Sequence, residues 1–353
     1  GKPLPFMTAV VGGRSVGVPG VLRMLELAHK AHGKLPWADL FQPAIDLAEK
    51  GFAISPLLHY LIATDPALAA SPSARAYFYA ADGQPKPAGM LLRNEAYAAT
   101  LRQIAAAGAD VFYSGSIAAD IVATVHDAAN PGGLSLADLA GYQAKARGSL
   151  CRPYRDWQVC GMPAPSSGGI TTLEILGLLQ PFALGDMKPD SAAAVHLVAE
   201  ASRLAFADRD RYIADSDFVS VPAEGLLDRS YLAARAKLID PRHSLGHATA
   251  GDPPHRAGSF APQVSDEIPS TSHFSIVDDD GNAAAMTTSV ENVFGSRLMV
   301  RGFILNNELT DFSFVPSING EPVANRVEAG KRPRSSMAPT LVLDKDRRFV
   351  LAV

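Results

Sequence analysis

An α/β fold, with helices covering a largely antiparallel sheet system, is predicted by three features of the sequence. The first half carries helical periodicity, the last stretch is a run of alternating β-rich segments from Thr271, and a polar Pro- and Gly-rich connection lies between them. From Val18 to about Phe112 the pattern is helical. Val21-Leu22-Arg23-Met24-Leu25-Glu26-Leu27-Ala28 is amphipathic and Trp37 to Lys50 repeats the period, with Gly33 and Gly51 expected to close both helices through positive φ. Leu92 to Ala107 and Ile117 to Ala128 continue the series.

Leu150 to Met162 places β-type residues on both sides of Tyr154-Arg155-Asp156-Trp157, which predicts a hairpin. Ser191 to Tyr212 returns to a long Ala-rich helix. Pro241 to Pro269 is rich in Pro, Gly, Ser, His and Asp and reads as an exposed, mobile connection. The strand segments follow: Thr271 to Asp278, Ala283 to Val290, Leu298 to Asn306, Thr340 to Leu343 and Phe349 to Val353.

The 353 residues include 32 Lys and Arg against 36 Asp and Glu, a formal net charge of −4. Such a chain has no bulk electrostatic attraction to nucleic acid or to an anionic membrane. No run of about 18 apolar residues that could span a bilayer occurs. The sequence opens on Gly1-Lys2-Pro3 without an initiator Met and stops in the strand pattern Arg348 to Val353, so both ends are expected to be cut from a longer chain.

The only cysteines are Cys151 and Cys160. A two-residue turn at Arg155-Asp156 pairs Tyr154 with Trp157 and sets Cys151 opposite Cys160, at a close position without backbone hydrogen bonds. Pro153 then falls where its missing N–H is harmless. A cross-strand disulfide is feasible there in an oxidising compartment. Arg-Asp is a poor primed turn, however, and two free buried thiols are the alternative.

Asp278-Asp279-Asp280-Gly281-Asn282 separates two strand patterns, with Gly281 suited to the left-handed position of a three-residue loop. Counting outward from an Asp278:Asn282 pair brings His273 opposite Thr287 and Thr271 opposite Ser289. Thr and Ser are ordinary strand residues. Thr271, though, directly follows an acidic, Pro-rich segment at the start of a strand. If cleavage made it a chain terminus, its α-amine, with a pKa near about 8, would sit as a general base beside its own hydroxyl nucleophile.

His243, His247 and His255 lie in a Pro- and Gly-broken segment with no carboxylate or Cys in ligand register, so no metal is expected. Gly12-Gly13, Gly17 and Gly20 match a nucleotide loop only loosely, because Pro19 intervenes and no strand precedes.

A wider set of segments resembles the γ-glutamyltranspeptidases. It comprises Thr271-Ser272-His273-Phe274-Ser275-Ile276-Val277-Asp278, Asp280-Gly281-Asn282, Phe294-Gly295, Leu305-Asn306-Asn307-Glu308-Leu309-Thr310-Asp311-Phe312 and Lys331-Arg332-Pro333-Arg334-Ser335-Ser336-Met337. Upstream, Pro43-Ala44, Met162 to Gly169 and Ala207-Asp208-Arg209 are similar to large-subunit motifs of that family. The resemblance covers essentially the whole chain. It implies a four-layer αββα sandwich of the N-terminal nucleophile hydrolase type and a precursor that cuts itself between Ser270 and Thr271. Residues 1–270 would be the large-subunit portion, with its connection at about 241–270, and 271–353 the start of the small subunit.

The resemblance also implies roles. Thr271 is the self-cleaving residue and nucleophile. Ser289 stands for a Thr that hydrogen-bonds the nucleophile, keeping the hydroxyl and losing a methyl. Glu308 and Asp311 match an acidic pair that holds the substrate α-ammonium, whose three donors need acceptors. Ser335 and Ser336 match a pair that binds the α-carboxylate, with helix capping beside Pro333 as the alternative.

Two departures stand out. Glu291, next to Asn292, occupies the place where many members carry Asn, adding negative charge near the α-ammonium subsite. The stretch from Asp311 to Lys331 is several residues shorter than a full lid loop and lacks an evident Tyr gate, which leaves hydrolysis against transfer open. The Arg that clamps the α-carboxylate and the Gly-Gly oxyanion donors match no position in this chain, and loss of one such donor costs about 10² to 10³ in rate. The expected activity is γ-glutamyl hydrolysis or transfer on glutathione-like amides, with water, an amino acid or a peptide as acceptor and no cofactor. A glutaryl-amide (cephalosporin-type) acylase and an uncleaved, inactive binding homologue are the alternatives. The expected location is periplasmic or extracellular.

Overall fold

Short polar residues ahead of apolar runs begin the helices. Ser55, Asp65, Asn94, Ser191 and Asp228 each accept a hydrogen bond from a backbone N–H of the first turn that they precede, and Ser135 with Asp138 forms a reciprocal capping box. The computed structural model describes residues 3–263 and 270–353. Helices Val21–His32, Gln42–Lys50, Glu95–Ala107, Ser116–His126 and Ala192–Tyr212 stand where the periodicity predicts them. Trp37–Phe41, expected as the first turn of an α-helix, is a 3₁₀ turn that leads into Gln42–Lys50.

The two glycines act differently. Gly51 has φ +84° and its N–H returns to the Leu47 carbonyl, as predicted. Gly33 instead leaves its helix extended at φ −67°. A Cβ there would lie 2.3 Å from the His29 ring, so the position demands lack of bulk and not positive φ.

Leu150–Tyr154 and Trp157–Gly161 form the hairpin in the predicted register, and a disulfide joins Cys151 to Cys160 with Cα atoms 4.0 Å apart. Two further antiparallel strands extend it, giving the order Phe349–Ala352, Thr340–Leu343, Trp157–Gly161, Leu150–Tyr154. The sheet therefore joins segments from both sides of Ser270-Thr271. Leu298 to Asn306, expected as one strand segment, is instead a tight hairpin of Met299–Val300 and Phe303–Ile304. Arg301 and Gly302 both take positive φ, 46° and 86°, which reverses the chain in two residues.

The fold is mixed helix and strand with several local cores. Helices Gly168–Leu179, Ala192–Tyr212 and Arg229–Ala236 bury Ile170, Leu173, Leu204 and Leu232 with Val159 of the sheet. In the helical half, Val300 and Leu305 complete a core around Ile104, Ile117 and Ile121, while Phe294 and Met299 complete another around Ile62, Leu68 and Phe78. Apolar residues from the later part of the chain thus close cores that the early helices begin.

The segment from Pro241 to Gln263 has neither helix nor strand, and hydrogen bonds run from it to the Ala192–Tyr212 helix. Ser244 Oγ and Leu245 N donate to Glu200, Gly251 N to Asp208, and Gln263 N to the Asp210 carbonyl. The rest of the predicted connection, residues 264–269, lies outside the described residues.

Beneath it sits a buried charged cluster. Asp208 accepts from Tyr231 Oη at 2.7 Å, Arg235 Nη2 at 3.1 Å and Gly251 N at 2.6 Å. Burial, and then the neighbouring Asp208 carboxylate, push the fully buried Glu174 carboxyl well above its ordinary range. A carboxyl that holds its proton more tightly folded than unfolded makes stability fall as pH rises above the ordinary Glu pKa of about 4.3. Glu174→Gln is therefore expected to exceed wild type in stability at about pH 8 and to converge with it toward about pH 4. Denaturant titration at both pH values checks this, and equal stabilities at the higher pH would refute it.

Candidate active site

The hairpin Ser272–Val277 with Ala283–Thr288 pairs Ser272 with Thr288 and Val277 with Ala283, the register that counting from the turn predicts. Gly281 has φ +82°, and the Asp278 carboxylate accepts from Asp280 N, Asn282 N and Asn282 Nδ2. These bonds, led by the Asn282 side chain, hold the Asp278 carboxyl below its usual range. His273 meets Thr287 Oγ1 across the strands at 2.8 Å. One residue before the strand, Thr271 Oγ1 lies 3.5 Å from Ser289 Oγ.

Ser289 connects three groups. Its Oγ donates to the Ser270 carbonyl at 2.9 Å and accepts from Glu291 N at 2.7 Å. The Ser270 carbonyl, which is bonded to Thr271 N, is thus polarised by a hydroxyl.

Glu291 takes φ +73°, unusual for a residue with a side chain. Its carboxylate accepts from Asn307 Nδ2. Asn307 is fully buried: it also donates to Thr310 Oγ1 at 2.9 Å and accepts from Asn292 N at 2.9 Å. Arg297 Nη2 holds Asn292 Oδ1 at 2.8 Å and Asp65 Oδ2 at 2.8 Å, so the backbone that carries Glu291 is fastened from two directions.

Glu308 and Asp311 open and close a single 3₁₀ turn, Glu308–Asp311. Asn306 Oδ1 accepts from Glu308 N and Gly17 N, both at 3.0 Å, which ties the turn to the glycine-rich N-terminal stretch. Burial, and then the charge of Glu291, raise the Glu308 carboxyl to about 7. The Asp311 carbonyl accepts from Asn325 Nδ2 at 2.7 Å.

Ser335 and Ser336 lie against the turn that starts the Gly168–Leu179 helix. Ser167 N and Ser167 Oγ both donate to the Ser335 carbonyl at 2.8 Å, and Ser166 bridges Ser335 in parallel. Arg209 Nη2 donates to Ser336 Oγ at 2.6 Å. Ser167, Arg209 and Asn307 lie within the family-like segments, and the sequence alone implies no role for them. The signal was a polar residue inside an otherwise apolar or tightly turning segment, which does not name its partner.

An open cleft of about 600 Å³ is lined in part by Leu61, Asp65, Asn292, Phe294 and Arg297. It meets this region through Asn292 and does not include Thr271. Among the described residues, no three His, Cys, Asp or Glu side chains gather as a metal site.

The sequence profile of the family described as gamma-glutamyltranspeptidase matches residues 2–353. The chain belongs to the γ-glutamyltranspeptidase family. It is 37% identical over 361 residues to the glutathione hydrolase proenzyme of Bacillus subtilis strain 168, covering 100% of this chain and 60% of that protein. To the acylase ACY 1 proenzyme of Pseudomonas sp. strain SE83 it is 35% identical, covering 96% of this chain and 58% of that one. The structure of cephalosporin acylase from Bacillus halodurans aligns with a TM-score of 0.81 at 27% identity, over 98% of this chain and 60% of that one. The chain spans about 60% of the length of the curated relatives it matches. Within the family, therefore, both glutathione hydrolases and acylases stand near it.

Proposed function

We propose that this chain is part of a γ-glutamyl hydrolase or transpeptidase that matures by cutting itself between Ser270 and Thr271 within a four-layer αββα sandwich. One observation carries the reading: Thr271 Oγ1 faces Ser289 Oγ, whose hydroxyl is bonded to the Ser270 carbonyl. In self-cleavage Thr271 Oγ1 adds to that carbonyl, the C–N bond breaks, and water hydrolyses the resulting ester. The two products remain joined through the sheet, because Thr340–Leu343 pairs with Trp157–Gly161.

The freed α-amine of Thr271 then takes the proton from Oγ1 as it attacks the γ-carbonyl of the donor. The proton passes to the departing amine, and water or an acceptor amine resolves the acyl ester. Glu308 and Asp311 would receive the donor α-ammonium and Ser335 with Ser336 its α-carboxylate. The Cys151–Cys160 disulfide supports placement in an oxidising, periplasmic or extracellular compartment.

A glutaryl-amide acylase is the second reading, favoured by the likeness to cephalosporin acylase. A glutaryl group offers methylene where the ammonium would sit and forgoes its charge-assisted bonds to Glu308 and Asp311, a loss that discriminates more strongly than a missing methylene. The full-length protein should therefore favour γ-glutamyl over glutaryl anilide by at least about tenfold in kcat/KM, with Asp311→Asn erasing most of that preference. Equal kcat/KM values in wild type, or an unchanged ratio in the variant, would move the acylase reading ahead.

The pH dependence has a defined sign. Glu308, raised to about 7, is neutral below that pH and anionic above it. Donor KM is expected to fall as pH rises through about 7, the inflection moving lower in Glu291→Gln and vanishing in Glu308→Gln. A KM profile that is flat across about pH 6 to 8 in wild type would refute the assignment.

A further inference from the structure

We infer that Arg209 is the positioning residue of the α-carboxylate subsite, one buried guanidinium that indexes both serines and strengthens Ser336 as a donor. The inference rests on the reading in which Ser335 and Ser336 receive that carboxylate.

Arg209 sits in the last turn of Ala192–Tyr212 and is only 2% exposed. Its planar fork serves two hydroxyls. Nη2 donates to Ser336 Oγ at 2.6 Å, and Nε donates to Ser167 Oγ at 2.9 Å. Ser167 Oγ passes the constraint on, donating to the Ser335 carbonyl at 2.8 Å. One serine is thus reached directly and the other through its backbone. Nη1 donates to Asp210 Oδ1 at 2.8 Å, which offsets the buried charge. Arg334, the residue before the pair, closes the arrangement by donating to the Arg209 carbonyl at 3.0 Å and to Asp210 Oδ1 at 3.2 Å.

The chemistry follows from the donor inventory. A guanidinium has no acceptor, so Ser336 Oγ must receive the Arg209 bond on a lone pair and turn its own hydrogen to a different acceptor. A permanent cation on the oxygen polarises that O–H and makes it a stronger donor to an anion. Lysine would keep the charge but present a point, not a fork, and could not hold Ser167 and Ser336 together. The result is a carboxylate site whose geometry is set by a residue 127 positions away in sequence that need not touch the substrate.

The test uses two donors that differ only in the α-carboxylate: γ-glutamyl-p-nitroanilide and 4-aminobutyryl-p-nitroanilide. In the full-length protein, Arg209→Lys is expected to raise KM for the first roughly tenfold or more with kcat within about threefold, and to leave kcat/KM for the second within about twofold. Arg209→Lys and Ser336→Ala should combine with less than additive cost, since both remove the Arg209–Ser336 bond while each also removes a contact of its own. Should Arg209→Lys fail to fold, Ser167→Ala removes the hydroxyl between Arg209 Nε and the Ser335 carbonyl while keeping the Ser167 N bond to that carbonyl and the Arg209–Ser336 bond, and is expected to show the same donor selectivity at roughly threefold. Equal losses on both donors would reduce Arg209 to scaffold, and no loss on either would remove it from the site; both overturn the inference. A wild type that handles both donors equally would overturn the carboxylate reading itself, and the inference with it.

Discussion

Thr271→Ala is expected to leave the full-length precursor uncut and without detectable turnover. The residue would supply the hydroxyl in both steps, and nothing else in the described site can replace it: Ser289 Oγ is already committed to the Ser270 carbonyl and to Glu291 N. Loss of a nucleophile in a unit of this kind typically removes about 10⁴ to 10⁶ in rate. Wild type should give a fragment beginning Thr-Ser-His-Phe without added protease, read by mass spectrometry. If Thr271→Ala still yields that fragment, cleavage comes from elsewhere and Thr271 is not the self-cleaving residue. Ser289→Ala supplies a graded comparison, slowing cleavage while keeping the Thr271 hydroxyl, because it removes the group that polarises the Ser270 carbonyl and that Thr271 Oγ1 and Glu291 N meet.

The largest stability effect is expected at Asp208. Its carboxylate is fully buried and accepts from Tyr231, Arg235 and Gly251 N, which together join two helices to the segment that follows them. Asp208→Ala strands a guanidinium that is 7% exposed and leaves a buried phenol and a backbone N–H without that acceptor. Breaking a buried ion pair from one side costs about 3–5 kcal/mol. A denaturation midpoint shifted by less than about 1 kcal/mol equivalent would show that the cluster relaxes around the loss. The contrast with Glu174→Gln is instructive, since two carboxyls on neighbouring helices are expected to respond with opposite signs. Asp208 is charged and paired, whereas Glu174 is pushed toward its neutral form by burial and by Asp208.

Local pairing was legible in the sequence wherever a turn defined the count. Gly281 between strand patterns sets Thr271 beside Ser289, whereas Arg155-Asp156, a poor primed turn, allows Cys151 opposite Cys160 and leaves free thiols open until the structure supplies the turn and the disulfide. The acidic pair at Glu308 and Asp311 was visible as residue types at a spacing of three, and the family motif implied a role for them. Where the local signal is ambiguous, the structure departs from the expectation. Leu298 to Asn306 carries strand composition throughout, and only Arg301 and Gly302 at positive φ divide it in two. Gly33 looked like a helix cap defined by dihedral, while the nearby His29 ring makes its demand one of space.

By itself, then, the sequence determined the helical half, the two hairpins with their registers, the candidate nucleophile and the family to which the motifs point. These depend on neighbours a few residues apart, through periodicity and turn geometry. Only the tertiary structure decided that Thr340–Leu343 would join Trp157–Gly161 in one sheet, and that Arg209 would reach Ser336. It alone decided, too, that burial, and then the charge of Glu291, would raise the Glu308 carboxyl. A polar side chain on a helix reads as a solvated face until packing removes the water around it. Its partner is then whichever donor or acceptor the fold brings within about 3 Å, and no spacing rule along the chain encodes that choice.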